Sequence, residues 1–413
     1  MKYPGMRARK SARALLALTA VATPWLAHAE TYGTIDVSAQ GTAASNPFLR
    51  TGGDTEAVAA GIQIDPSIVF DDVTAKATLS GSLRLDQFSN SYGADAAGRL
   101  RFGVVQSLDE RTSISSSASF QTSRSAVRDL FATGLSEPGD PLAEPDVFPP
   151  DLEIPDVSSA GLRSRTTTLS GSSSLTRALG PRDSLSLGIS AGLTRSEAEV
   201  GGDYQRWGVF GTFGRRLSER TQVYLSADAG FADYKDAAQG DGRYITPVIG
   251  VEHQFSDTLA AHAEIGASFA DVEGPGGSDV QRTTLAGEAS ICQRYARSSL
   301  CAGVSRRAQP TAFGGITSTT AASLTYGVQV NENDRFSLQS SYGRSDRNVS
   351  GLAGNVDKQD VVSASADYRH RFAERLFAFV NPRFEKIFPG ATGTGRSNVE
   401  VMVGITYRFG RAR

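Results

Sequence analysis

The feature that most constrains this chain is a strict period-two alternation. From Ala75 it reads Ala-Lys-Ala-Thr-Leu-Ser-Gly-Ser-Leu-Arg-Leu-Asp. An extended backbone sends Ala77, Leu79, Gly81, Leu83 and Leu85 to one face and Lys76, Thr78, Ser80, Ser82, Arg84 and Asp86 to the other. Such runs recur from Tyr32 to the end, roughly 18 of them, each about ten residues long. One face apolar and the other polar through most of a chain is how a transmembrane β-barrel is encoded, with lipid outside and water inside. The expected fold is all-β, an up-and-down antiparallel barrel of the bacterial outer membrane.

The first residues follow a different rule. Lys2, Arg7, Arg9, Lys10 and Arg13 precede the apolar run Ala14–Ala22, and Ala27-His28-Ala29 supplies a small-x-small site before Glu30. This is the pattern of a cleaved secretory signal, which makes 1–29 a signal peptide and 30–413 one barrel domain. No cysteine follows the site to carry a lipoprotein anchor. Removing five bases and no acids from 42 and 44 leaves 37 against 44, a net charge of −7, which offers nothing to nucleic acid. A hydrophobic content of 39% would suit a soluble β-protein equally well. The barrel is favoured because no apolar run reaches the ~20 residues of a membrane helix, helix-period segments are scarce, and no linker divides the chain.

The connections alternate in kind. Eight are short: Asp71–Val73, Asp109–Arg111, Leu179–Asp183, Leu217–Arg220, Ser256–Thr258, Ala296–Arg297, Asn331–Asp334 and Ala373–Arg375. Nine are longer and rich in Gly, Asp and Pro, near 46–54, 90–96, 130–161, 200–203, 236–242, 271–279, 310–318, 345–357 and 389–397. Eight periplasmic turns and nine external loops put both termini in the periplasm. Phe70, Phe213, Phe255, Tyr295, Phe336 and Phe372 sit beside the turns, and Phe88, Phe120, Trp207, Phe231, Phe269, Tyr342 and Phe384 near the loops. These are expected to form two interfacial girdles.

Alternation nominates the inner face. The candidates are Lys76, Arg84, Asp86, Arg99, Arg101, Arg206, Asp228, Glu252, Glu264, Arg282, Glu288, Arg307 and Glu400, with the serine tracks 113–119 and 170–174 between them. Of the 42 bases 36 are arginine, whose planar fork grips carboxylates and other flat anions better than lysine does. Some of these arginines serve only to neutralise neighbouring carboxylates; a surplus would favour anionic solutes such as uronate-bearing saccharides. Cys292 and Cys301 flank a tight hairpin that sets them opposite each other on the inward face. In an oxidising periplasm that is a cross-strand disulfide; the alternative is two buried thiols.

The segment 129–157 carries Asp129, Glu137, Asp140, Glu144, Asp146, Asp151, Glu153 and Asp156, with six prolines and no base. One reading is a solvated acidic lip. Enzyme signals are weak, and no catalytic role, metal or cofactor is expected. Gly188-Ile189-Ser190-Ala191-Gly192 matches a nucleophile-elbow pattern but lies in mid-strand alternation. His253, His262 and His370 have no metal-ligand spacing, and only His262 points inward. Gly390, Gly393 and Gly395 lack a following lysine.

With these features together the chain resembles the β-barrel porins of the Gram-negative outer membrane. The last strand, Val399 to Phe409 with apolar residues outward, is similar to the C-terminal strand read by the barrel-assembly machinery, extended here by Gly410–Arg413. Asn46-Pro47-Phe48-Leu49 is similar to the opening loop of a subgroup found beside exopolysaccharide genes. The strand count and arginine-rich lumen are similar to those of saccharide porins and alginate-type exporters. The resemblance implies that 129–157 acts as a third loop folded into the lumen, its carboxylates facing the inward arginines. It also implies a channel for hydrophilic solutes, most of all saccharide or exopolysaccharide, with separate periplasmic proteins if the direction is export. The alternative is a closed barrel whose loops act in adhesion or envelope structure.

Overall fold

The computed structural model describes residues 30–89, 92–124, 165–197, 203–236, 240–273, 279–311, 314–346, 358–388 and 395–411. Both 1–29 and 129–157 lie outside these. Every element among the described residues is a strand. In chain order they are β1 (Glu30–Ala44), β2 (Ala57–Asp71), β3 (Ala75–Phe88), β4 (Ala94–Asp109), β5 (Thr112–Ser123), β6 (Thr166–Ala178), β7 (Asp183–Ser196), β8 (Tyr204–Ser218) and β9 (Thr221–Tyr234). The second half comprises β10 (Gly242–Ser256), β11 (Leu259–Glu273), β12 (Asp279–Arg294), β13 (Ser298–Pro310), β14 (Ile316–Gln329), β15 (Asp334–Asp346), β16 (Lys358–Ala373), β17 (Leu376–Ile387) and β18 (Arg396–Arg411).

Each strand pairs antiparallel with the next, and β18 returns to β1 from Gly33↔Arg411 to Ala44↔Glu400. Closure leaves no sheet edge to be satisfied in lipid. The strands run to 12–16 residues rather than the ten expected, because ten suffice for a tilted span and the excess carries each hairpin beyond the apolar band. Several short turns are fixed by their own side chains. Asn331 Oδ1 accepts the N–H of Asn333 (2.8 Å) and of Asp334 (2.9 Å), Asp109 Oδ1 that of Arg111 (2.7 Å), and Ser256 Oγ that of Leu259 (3.1 Å). These polar residues stop one strand and aim the next.

The outer face carries exposed Ile62, Leu83, Leu85, Leu187, Ile249, Ile265, Leu285, Val403 and Ile405, among many others. An apolar belt this wide far exceeds what a soluble monomer exposes. Transfer from water to hydrocarbon is worth about 1.5–3 kcal/mol for each large side chain, so this surface calls for lipid. Phe120, Trp207, Phe231, Phe269 and Phe384 are exposed toward the loop end. Phe88 corrects the expected girdle: it is only 3% exposed, opposite inward-facing Ala59. It faces inward because a ring partner from the first loop awaits it there.

The inner face changes along the barrel axis. On β3, Lys76, Thr78 and Ser80 near the turns are exposed, Ser82 and Arg84 are half-buried, and Asp86 is buried. On β4 the same course runs from exposed Ser107 and Val105 to buried Ala97 and Asp95. Toward the turns this inner face is uncovered, and toward the loops two pieces of chain fold inward against the wall.

Candidate functional site in the barrel lumen

One wall, β9 to β13, is ionic. Tyr224 Oη shares a hydrogen bond with His262 Nε2 and donates to Glu264 Oε2 (2.9 Å). Arg307 Nη2 lies 2.6 Å from Glu264 Oε1 and 3.4 Å from Glu288 Oε2, and His262 Nδ1 is 3.9 Å from Glu288. Glycine opposite tyrosine makes this possible. Gly250 pairs with Tyr224, and a Cβ there would overlap the Tyr224 ring, so the bare backbone lets the ring lie along the wall and carry its hydroxyl to the carboxylates. Gly230 does the same for Tyr244, which hydrogen-bonds to Asp228.

A neighbouring stretch of wall, β5 to β7, holds hydroxyls. Ser117 meets Ser172 at 2.9 Å, Ser119 meets Ser170 at 2.7 Å, and Thr176 donates to Ser186 (3.1 Å). Ser115 faces Ser174, and Ser190 lies mid-strand opposite Ser172. Same-face residues recur every ~7 Å along a strand, and each paired hydroxyl keeps acceptor capacity for a solute. The arrangement is a polyhydroxyl track.

The remaining inward candidates are spread around the barrel. Arg84 Nε is 2.9 Å from Asp86, which also accepts from Gln40 Nε2 (3.2 Å). Arg99 and Arg101 follow on β4, exposed Arg206 stands on β8 over Gly192, Glu252 is on β10 and Arg282 on β12. Glu400 is buried opposite Arg383, beside the Asn398–Glu385 pair. Arg408 forks onto Asp36 at 2.8 and 2.7 Å. Cys292 and Cys301 are joined by a disulfide with Cα atoms 4.1 Å apart. Glu137, Asp140, Glu144, Asp146, Asp151 and Glu153 lie outside the described residues.

Two parts of the mouth were not read from the sequence. The first loop folds onto the inner face of β2 and β3: Phe48 contacts Phe88 and Tyr92 with centroids 5.4 and 5.2 Å away, and Arg50 lies 4.1 Å over Tyr92. Asn46 holds the turn, its N–H donating to Asn398 Oδ1 (2.9 Å) and its Oδ1 accepting from Arg50 N–H (2.7 Å). Pro47 and Leu49 are fully buried. The signal was an apolar Pro-Phe-Leu in a loop that should be polar.

The second piece is the tip of the β13–β14 hairpin, on the far side of the mouth. The long connection expected at 310–318 shrinks to the residues between Pro310 and Ile316. Ile316 and Ala308 pack with Tyr204, Ala232, Tyr234 and Ala270. Tyr234 Oη lies 2.9 Å from Thr311 O and 2.8 Å from Gly315 O. Alternation places Ala308 outward, so its position inside was invisible to a period-two reading.

No known family model and no curated protein matches this chain. Among solved structures it is similar to the FrpB iron transporter from Neisseria meningitidis, with 8% identity over 92% of this chain and 83% of that one and a TM-score of 0.45. It is also similar to Pseudomonas aeruginosa OccK2 (OpdF), with 11% identity over 93% and 98% and a TM-score of 0.45. The complex of OccK2 with glucuronate gives 10% identity over 93% and 97% and a TM-score of 0.42. Likeness at this level carries no residue correspondence.

Proposed function

We propose that this protein is a passive channel of the Gram-negative outer membrane for hydrophilic solutes, saccharides above all. The observation that carries the reading is the closed barrel with an apolar outside and an inner face divided between a hydroxyl track and an ionic wall. A hydroxyl hydrogen bond exchanged with water nets only about 0.5–1.5 kcal/mol. A row of such weak sites suits transit better than capture, since a conducting site must also release. The inward arginines suit uronates and other anionic saccharides, and export of an anionic exopolysaccharide, with separate periplasmic proteins, is the specific use we assign.

The proposal includes residues 1–29 as the export signal, β18 as the strand handed to the assembly machinery, and no enzymatic role. Single-channel conductance of the refolded protein in a planar bilayer tests it, with and without 129–157, while neutral and uronate oligosaccharides are titrated. Conductance that saccharides block is the expected result; silence of both forms would overturn it. The second reading, a non-conducting adhesive barrel, draws its support from the two pieces of chain that fold inward at the loop end.

A further inference from the structure

The β12–β13 ladder is incomplete. It runs from Arg294↔Ser299 to Gly287↔Arg306 and stops, although β12 continues to Asp279, paired with β11, and β13 to Pro310, paired with β14. Above that point the two strands part and the hairpin tip leans over the inner faces of β9, β10 and β11. Successive residues mark the bend. Arg306 is tied to Thr320 (2.7 Å) and Asp346 (3.1 Å) on the outer face, and Arg307 to Glu264 and Glu288 on the inner. The tip turns through Gly314 and Gly315, at φ 99° and 67°, values that side chains resist. Five rungs below the split, the Cys292–Cys301 disulfide joins the same two strands.

We propose that the described arms of the β13–β14 tip, 307–311 and 314–317, form a hinged gate with two positions. In one it is folded in, as seen, held by Tyr234 and by Ile316 on Gly242. In the other it stands up and completes the wall. The existing register dictates the new rungs, Ala286↔Arg307, Leu285↔Ala308, Thr284↔Gln309 and Thr283↔Pro310. These would return Ala308 to the outer face beside exposed Leu285, as its parity requires. Standing up would also uncover Tyr204 and Tyr234 to the lumen. The disulfide keeps the split from running toward the turns. That the tip controls solute passage rests on the channel reading; that it alternates between two positions does not.

Engineered cysteine pairs test both statements in the full-length barrel in lipid, with copper phenanthroline as oxidant and peptide mapping to confirm the native disulfide. Thr284→Cys with Gln309→Cys joins the upright position, on the same face and rung type as Cys292 and Cys301. Gly242→Cys with Ile316→Cys joins the folded position, where a Cβ on Gly242 comes within 2.7 Å of Ile316 Cγ1. Both pairs are expected to cross-link, with conductance severalfold higher in the upright staple than in the folded one and reversed by reductant. Failure of Thr284→Cys/Gln309→Cys to cross-link, while a thiol reagent labels each single cysteine, overturns the gate. Equal conductance of the two staples in a conducting barrel overturns it as well. Cross-linking of both pairs in a barrel that never conducts overturns the channel reading alone and supports the two positions. Should Gly242→Cys/Ile316→Cys not fold, the isosteric Tyr234→Phe, which frees the tip, must raise the upright cross-link several-fold; no rise overturns the gate.

Discussion

The two walls of the lumen use one strand geometry for opposite ends. On β5 to β7, hydroxyls meet in separate pairs such as Ser117–Ser172, each replaceable without disturbing the next. On β9 to β13, Tyr224, His262, Glu264, Glu288 and Arg307 are joined so that each fixes the position of another. A wall of independent weak sites tolerates change, whereas a connected charged wall does not, because removing one member leaves its partner desolvated and uncompensated.

The sharpest way to break this contrast is Arg307→Ala. Losing one partner of a buried pair costs about 3–5 kcal/mol; Arg307 is 40% exposed to the wet lumen, so the expected loss is roughly 1–2 kcal/mol. Urea unfolding in detergent reads it, with a shift of selectivity toward cations that fades at high salt. An unchanged midpoint would mean that the wall is not a network. Next comes Gly250→Val, which drives a side chain into the Tyr224 ring at an expected cost of about 1–3 kcal/mol. The same unfolding curve reports it, and conductance through the serine side should persist.

A control that leaves both walls alone lies in the turn before β15. There Tyr368 Oη (2.6 Å), His370 Nδ1 (2.7 Å) and Asn331 hold the Asp334 carboxyl down at about 2. A depressed carboxyl contributes stability above its unfolded value of 3.8 and loses it as the pH falls through about 2. Amide exchange in that turn should therefore quicken between those values, and Asp334→Asn should quicken it at neutral pH. The smallest stability effect is expected from Ser117→Ala with Ser172→Ala, under about 1 kcal/mol since both partners go together. Its signature is weaker blocking by neutral oligosaccharides; unchanged blocking would remove the hydroxyl track from the proposed pathway.

Where the wall is regular, the sequence was legible. Lipid on one side and water on the other enforce period two, so the strands, the turns and the inward placement of residues such as Asp86, Glu264 and Arg307 follow from counting. Phe88, Asn46–Leu49 and the Ala308–Ile316 contact did not follow. At the mouth, chain folds back onto chain, and a third environment, protein against protein inside the lumen, replaces the two that alternation encodes. Glycine opposite tyrosine was a readable sign of the Tyr224 network, but only once the register placed Gly250 beside the ring.

The fork of Arg408 on Asp36 spans the junction where the last strand meets the first. A slip of one residue there would turn Arg408 onto the lipid side, at a cost of about 2–4 kcal/mol near the bilayer midplane and less toward its surfaces, and would strand Asp36 without its cation. The final step of assembly thus carries its own proofreading: a barrel sewn one stitch out of line is penalised at its seam.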